Sequence, residues 1–99
     1  MEIEKNVDKD VTTFMISGKI DTVTSQKLQD SLIPVIEVSD HVVLDFSKVE
    51  YVSSAGLRVL LMGEKTAKAN GVSMTVTNVS DAIMEVLLMT GFANILTLK

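Results

Sequence analysis

Two apolar periods alternate along this chain, and that alternation limits its possible folds more than any other feature. Over Val11–Ile20 the period is two: Phe14, Ile16, Gly18 and Ile20 fall on one face, and Thr13, Met15, Ser17 and Lys19 on the other. This is a strand pattern. Upstream, Ile3 and Val7 alternate weakly, and Asp8-Lys9-Asp10 is a polar turn, so a short first strand should form an antiparallel hairpin with the second. The period then changes. Asp21-Thr22-Val23-Thr24-Ser25 is rich in side chains that accept free N–H groups at a helix start, and Leu28, Leu32, Val35 and Ile36 follow at helical spacing. Pro34 cannot donate to the carbonyl of Asp30, which predicts a kink or an early end to that helix.

The alternation continues. Val42-Val43-Leu44-Asp45-Phe46 is a β-branched apolar run, the pattern of a strand buried on both faces of a parallel sheet. Residues 47–52 read as a loop. A second helix is predicted from Ser53 or Ser54 to about Ala69, with Leu57, Leu60 and Leu61 inward and Asn70-Gly71 at its end. Val72, Met74 and Val76 alternate with Ser73, Thr75 and Thr77, giving a strand with one wetter face. Ser80 should cap a third helix carrying Ile83, Val86 and Leu87, with Gly91 closing it and Phe92 folding back on Leu87. Residues 95–98 read as the last strand. The order β-β-α-β-α-β-α-β calls for an α/β fold. It should be a mostly parallel mixed sheet with an N-terminal antiparallel hairpin strand, right-handed crossovers, and helices packed against it. With 99 residues, the expectation is a single domain over 1–99.

Composition then removes whole classes of function. Nine basic against thirteen acidic residues leave a net charge of −4, and no cluster of Lys and Arg forms the footprint of a nucleic-acid binder. No apolar run approaches the ~20 residues of a membrane span. The start Met1-Glu2-Ile3-Glu4-Lys5 is not a signal peptide, so the expected compartment is the cytoplasm. There is no cysteine and one histidine, His41, which argues against a thiolate or histidine-rich metal site and against a Ser-His-Asp set with a spare base. Neither a Gly-x-Gly-x-x-Gly nor a P-loop is present, so no cofactor and no self-contained nucleotide enzyme are expected.

The most informative stretch runs from Leu44 to Leu61: a buried strand, then two serines, Ser53 and Ser54, then Ala55 and Gly56 opening an apolar helix. Free N–H groups and the positive end of the helix dipole favour an anion there. The local pattern has two readings. Ser54 is either a helix cap and Gly56 a packing residue, or Ser54 carries a phosphate and Gly56 lets a partner approach the backbone.

Ser53-Ser54-Ala55-Gly56-Leu57-Arg58-Val59-Leu60 resembles the signature segment of STAS domains, in particular of bacterial anti-sigma factor antagonists. Gly18-Lys19-Ile20-Asp21 is similar to the Gly-x-Leu/Ile-Asp before that family's first helix, and Leu44-Asp45-Phe46-Ser47-Lys48-Val49 to the strand and turn before its phosphorylated serine. The likeness covers nearly the whole chain. It implies that Ser54 is the phosphoacceptor, with Ser53 as the alternative. Asp21, Asp45 and Ser53 would support the site, and Gly56, Leu57 and Arg58 would meet the partner. Asp21 also reads as a plain helix-start residue, and Asp45 as a structural one bonding loop N–H groups below Ser54. Three positions depart from the family's usual Asp-Ser-Ser/Thr-Gly-Leu-Gly: Ser53 stands for Asp, Ala55 for Ser/Thr and Arg58 for Gly. The implied function is a non-enzymatic, phospho-switched module. It binds a serine-kinase anti-sigma factor when unmodified, leaves it on phosphorylation, and is reset by a phosphatase. The alternative is an unphosphorylated regulatory or scaffold subunit of a larger sensory or transport assembly.

Overall fold

The computed structural model describes residues 1–99. Its elements are β1 (Glu2–Asp8), β2 (Val11–Ile20), α1 (Ser25–Ile36), β3 (His41–Val52), α2 (Ser54–Ala69), β4 (Ser73–Thr77), α3 (Asp81–Thr90), a 3-10 turn (Phe92–Asn94) and β5 (Thr97–Leu98). The five strands form one sheet in the order β1-β2-β3-β4-β5. β1 and β2 are antiparallel, with Asp8 opposite Val11 and Lys9 in the left-handed region at φ 58°. Every other neighbouring pair is parallel. This is the mixed α/β sheet that the alternating periods predict.

One face of the sheet carries the core. Phe14 pairs with Leu44 and Leu44 with Val76, and all three are buried. Leu28, Leu32 and Ile36 of α1 and Leu60 and Ala67 of α2 close over them. The helices approach closely at Gly63, where a Cβ would lie 3.1 Å from Sδ of Met74 and 3.2 Å from Cδ2 of Leu32. Pro34 does not end the helix early: it lies inside α1, which runs to Ile36, the last residue of its apolar pattern. Ser80 caps α3 by accepting the N–H of Ile83 at 3.2 Å, and Gly91 ends it at φ 83°. Phe92 begins the 3-10 turn and packs against the core cluster that includes Leu87.

The structure corrects five expectations about these elements. First, residues 47–52 are strand rather than loop. They pair in parallel with β2, but β3 advances from Asp45 to Lys48 while β2 advances only from Met15 to Ser17, and again from Val49 to Tyr51 against Gly18 to Lys19. These two bulges place Phe46, Val49 and Val52 inward at every third residue, which hides the period of two. Second, β3 is buried on one face only, since Val43 and Asp45 are half-buried. Third, the supposed wetter face of β4 contains a buried Thr75. Fourth, the last strand is only Thr97–Leu98, because Ile95 still belongs to the end of the 3-10 turn. Fifth, on α2 Leu61 is only half-buried, and Val59, Gly63 and Ala67 join Leu57 and Leu60 on the inner face.

Candidate functional site

The lengthened β3 delivers the serines. Strand pairing ends at Val52 opposite Ile20, and the N–H of Ser53 then donates to the Ile20 carbonyl at 2.8 Å. Only Ser53 separates β3 from α2, so the chain turns directly from sheet into helix. Ser53 has the extended geometry of an N-cap (φ −82°, ψ 173°), and its Oγ accepts the N–H of Gly56 at 3.2 Å. Its carbonyl accepts the N–H of Leu57 at 2.9 Å.

Ser54 is therefore not the cap. It is the first residue of α2, it is exposed, and its hydroxyl has no hydrogen-bond partner in the protein. The capping role that the local pattern offered to Ser54 belongs to Ser53. Asp, the residue at this position in the family pattern, and Ser are both strong N-caps, so the substitution preserves the helix start. The first turn of α2 has no acidic side chain to oppose an anion.

Gly56 and Leu57 lie inside the fold and offer no side-chain surface to a partner. A Cβ at Gly56 would stand 2.8 Å from Cγ2 of Ile20, 3.0 Å from Cγ1 of Val52 and 3.1 Å from the Ile20 carbonyl oxygen. The glycine is there so that α2 can approach the ends of β2 and β3. Leu57 is 6% exposed and belongs to the core. Of the three residues expected at the partner surface, only Arg58 is exposed. With Leu61, Met62 and Lys65 it lines a shallow groove on the outer side of α2.

Asp21 follows Ile20 and so stands next to the anchor of Ser53. Its Oδ1 accepts the N–H of Thr24 at 2.9 Å and of Val23 at 3.0 Å, while Thr24 Oγ1 accepts the Asp21 N–H at 2.8 Å. The Thr24 N–H first, then the Thr24 hydroxyl and the Val23 N–H, hold the Asp21 carboxyl below its ordinary range. Asp21 thus builds the turn into α1, as its helix-start reading predicts, and it does so beside the serines. Asp45 takes the structural role expected of it, at an N–H of the 47–52 stretch. It accepts the N–H of Ser47 at 2.9 Å and the side-chain amide of Asn78 at 3.1 Å, and it bonds to nothing at Ser53 or Ser54. The Ser47 N–H, with the Asn78 amide and the charge of Lys48, keeps its carboxyl low against the opposing effect of burial. Asp45 locks the first bulge of β3 to the exit of β4. Asn78, at φ 57°, is a residue that sequence reasoning passed over; an Asn directly after a strand is the signal that could have marked it. Glu64 also escaped notice: it is buried on α2, and its Oε2 has no partner. Its helical spacing from Leu57 and Leu60 was the available sign.

A strand that runs straight into a helix headed by an exposed serine can be compared with known proteins. The STAS domain family model matches residues 2–99. The chain belongs to the STAS domain family. The anti-sigma-B factor antagonist of Bacillus subtilis (strain 168) is 28% identical over 84 residues, which cover 85% of this chain and 77% of that protein. Among solved structures, an anti-sigma factor antagonist from Mycobacterium paratuberculosis superposes with a TM-score of 0.88 at 23% identity, covering 98% of this chain and 83% of the other. The Bacillus cell-fate determinant SpoIIAA in its phosphorylated form gives a TM-score of 0.77 at 13% identity, covering 99% and 91%. At such identities these likenesses establish the STAS fold. No helix of this chain is long and apolar enough to cross a membrane.

Proposed function

We propose that this STAS domain is an anti-sigma factor antagonist switched by phosphorylation of Ser54. Unmodified, it docks on a serine-kinase anti-sigma factor in the cytoplasm and keeps that protein from its sigma factor. The kinase then transfers phosphate: the Ser54 Oγ bonds to the γ-phosphorus of ATP, the bond to ADP breaks, and the hydroxyl gives up its proton. A phosphatase reverses the change by hydrolysis. The observation that carries the reading is the division of labour between the two serines. Ser53 Oγ is engaged with the Gly56 N–H, whereas Ser54 is exposed and its hydroxyl is free.

Charge at this position fits a switch better than a scaffold. A phosphate adds about −1.5 to −2 charges at neutral pH. At the first residue of α2 that charge meets unpaired N–H groups and the positive end of the dipole, so the domain tolerates it. At an interface facing a kinase's bound nucleotide the same charge is repelled and costly to desolvate. In this reading the chain is a binding module and a kinase substrate, not a catalyst. Its one histidine, His41, begins β3 and so lies at the opposite end of that strand from Ser53 and Ser54.

The test is to mix the protein with candidate anti-sigma kinases and ATP, then locate the phosphate by mass spectrometry. Phosphate on Ser54, lost in Ser54→Ala, supports the reading. Phosphate on Ser53 alone, with Ser54→Ala still a full substrate, would move the site. No phosphate from any kinase that binds the chain would favour the scaffold alternative.

A further inference from the structure

We propose that Arg58 is the built-in counter-ion of a phosphate on Ser54. Modification then removes a cation from the exposed face of α2 as well as adding negative charge. This rests on the reading of Ser54 as the phosphoacceptor and specifies how that same site is regulated.

The first observation is the charge of α2. Its exposed charged residues are Arg58, Lys65 and Lys68, all basic, and its single acid, Glu64, is buried. This one-sided face sits in a chain of net charge −4. The second is that Arg58 is unpaired. The one basic–acidic side-chain contact within salt-bridge distance joins His41 to Asp10 at 3.7 Å. The third is position. Gly56 and Leu57 are buried and Ala55 is half-buried, so Ser54 and Arg58 are the exposed side chains between residues 54 and 58. Residues four apart on a helix share a face, with Cβ atoms about 6 Å apart, and the long arm of Arg easily spans that gap. The order is also the favourable one, with the anion N-terminal to the cation and at the positive end of the helix dipole. Ser53, outside the helix and bonded to Gly56, is not on this face.

The pairing changes what a partner meets. Unmodified, the outer side of α2 presents Arg58 beside Leu61, Met62 and Lys65. Once Ser54 is phosphorylated, the guanidinium is drawn back over the first turn onto the phosphate, forming charge-assisted hydrogen bonds. A carboxylate that had met Arg58 then loses its cation and faces the phosphate instead.

The test places phosphoserine at position 54 during protein synthesis, so no kinase is needed, and follows the phosphate by phosphorus NMR as pH is varied. At low salt the phosphate of the otherwise unaltered chain should titrate about 0.2–0.4 pH below that of Arg58→Met, the size of an exposed pair one helical turn apart. Arg58→Lys should keep most of the difference, and Lys65→Met should leave the titration of the parent unchanged. About 0.5 M salt should shrink the gap. Identical titrations with and without the Arg58 side chain overturn the proposal. A kinase that ignores Ser54 would refute the proposed function and leave this measurement standing.

Discussion

The N–H of Ser53 donates to the carbonyl of Ile20 at 2.8 Å, so the head of α2 hangs from the last residue of β2. That bond sets the geometry of the site. It brings Asp21 beside the serines, makes Ser53 the cap, and leaves Ser54 as the first helical residue.

The two serines should therefore separate in stability. Ser53→Ala loses the acceptor for the Gly56 N–H and should cost about 0.5–2 kcal/mol. Ser54→Ala removes an exposed hydroxyl without a partner and should stay within about 0.5 kcal/mol of the parent. Urea unfolding of both variants decides it. Equal losses would mean that both hydroxyls share the capping role.

Gly56→Ala should be the most damaging small change in the signature segment. The added methyl meets Ile20 Cγ2 at 2.8 Å and the Ile20 carbonyl oxygen at 3.1 Å, and the carbonyl is backbone that cannot swing aside. Forced overpacking of this kind costs about 1–3 kcal/mol. Thermal melts should show a clear fall, with the amide signals of Ser53 and Ile20 displaced. A melt equal to the parent would show that α2 has slack at its head.

The element order and the β2, α2 and α3 boundaries could be read from the sequence because their apolar periods are uninterrupted. Phe14, Ile16 and Ile20 mark one face of β2, and Ser80 and Gly91 bracket α3 with ordinary capping chemistry. The second half of β3 could not be read. Its two bulges shift the inward residues from Phe46 to Val49 to Val52, and no local rule anticipates a register set by another strand. The site was legible in outline only. Local pattern could not assign the cap between adjacent serines, because that depends on where strand pairing stops. Helical spacing did turn Leu57 and Leu60 inward, but it put Leu61 there too in place of Val59, since the centre of the inner face follows from how α2 rests on β2 and β3.

Acid should weaken the fold through Asp21 and Asp45. Both carboxyls titrate below their ordinary range in the folded protein, chiefly through the N–H groups of Thr24 and Ser47 respectively. A lowered folded value means that the stabilisation is fully present above the unfolded value, about pH 4, and is lost as pH falls through the folded values. Urea midpoints should hold steady from about pH 7 to 5 and decline below about pH 4. Asp45→Asn should flatten part of that decline. An unaltered slope in this variant would show that the Ser47 and Asn78 bonds do not depend on the charge.

Glu64 predicts a gain. It is buried on α2 with Oε2 unpartnered, and an unsatisfied buried polar group costs about 1–3 kcal/mol. Glu64→Met keeps the length and the helix preference while removing the polar end. The variant should melt above the parent. A lower melting point would show that this carboxylate finds a partner in solution and holds α2 in place.

The final prediction concerns the switch. Ser54→Asp should weaken binding to the anti-sigma kinase strongly, and Ser54→Ala should bind as the parent does but resist release by ATP. Asp carries about one charge against the phosphate's ~1.5 to 2, so its effect should be smaller than that of genuine phosphoserine. The fold is not at stake in either variant. Ser54 is exposed at the first residue of α2, where a carboxylate is welcome to the dipole and a methyl disturbs no contact. Titration calorimetry should thus give affinities far apart, while melting curves coincide. Arg58→Glu tests the same surface from one turn further along, and it should also weaken binding without lowering the melting point, since the side chain is exposed. If Ser54→Asp bound the kinase as tightly as the parent, with its fold verified, charge at this position would not be the switch and the scaffold reading would take its place.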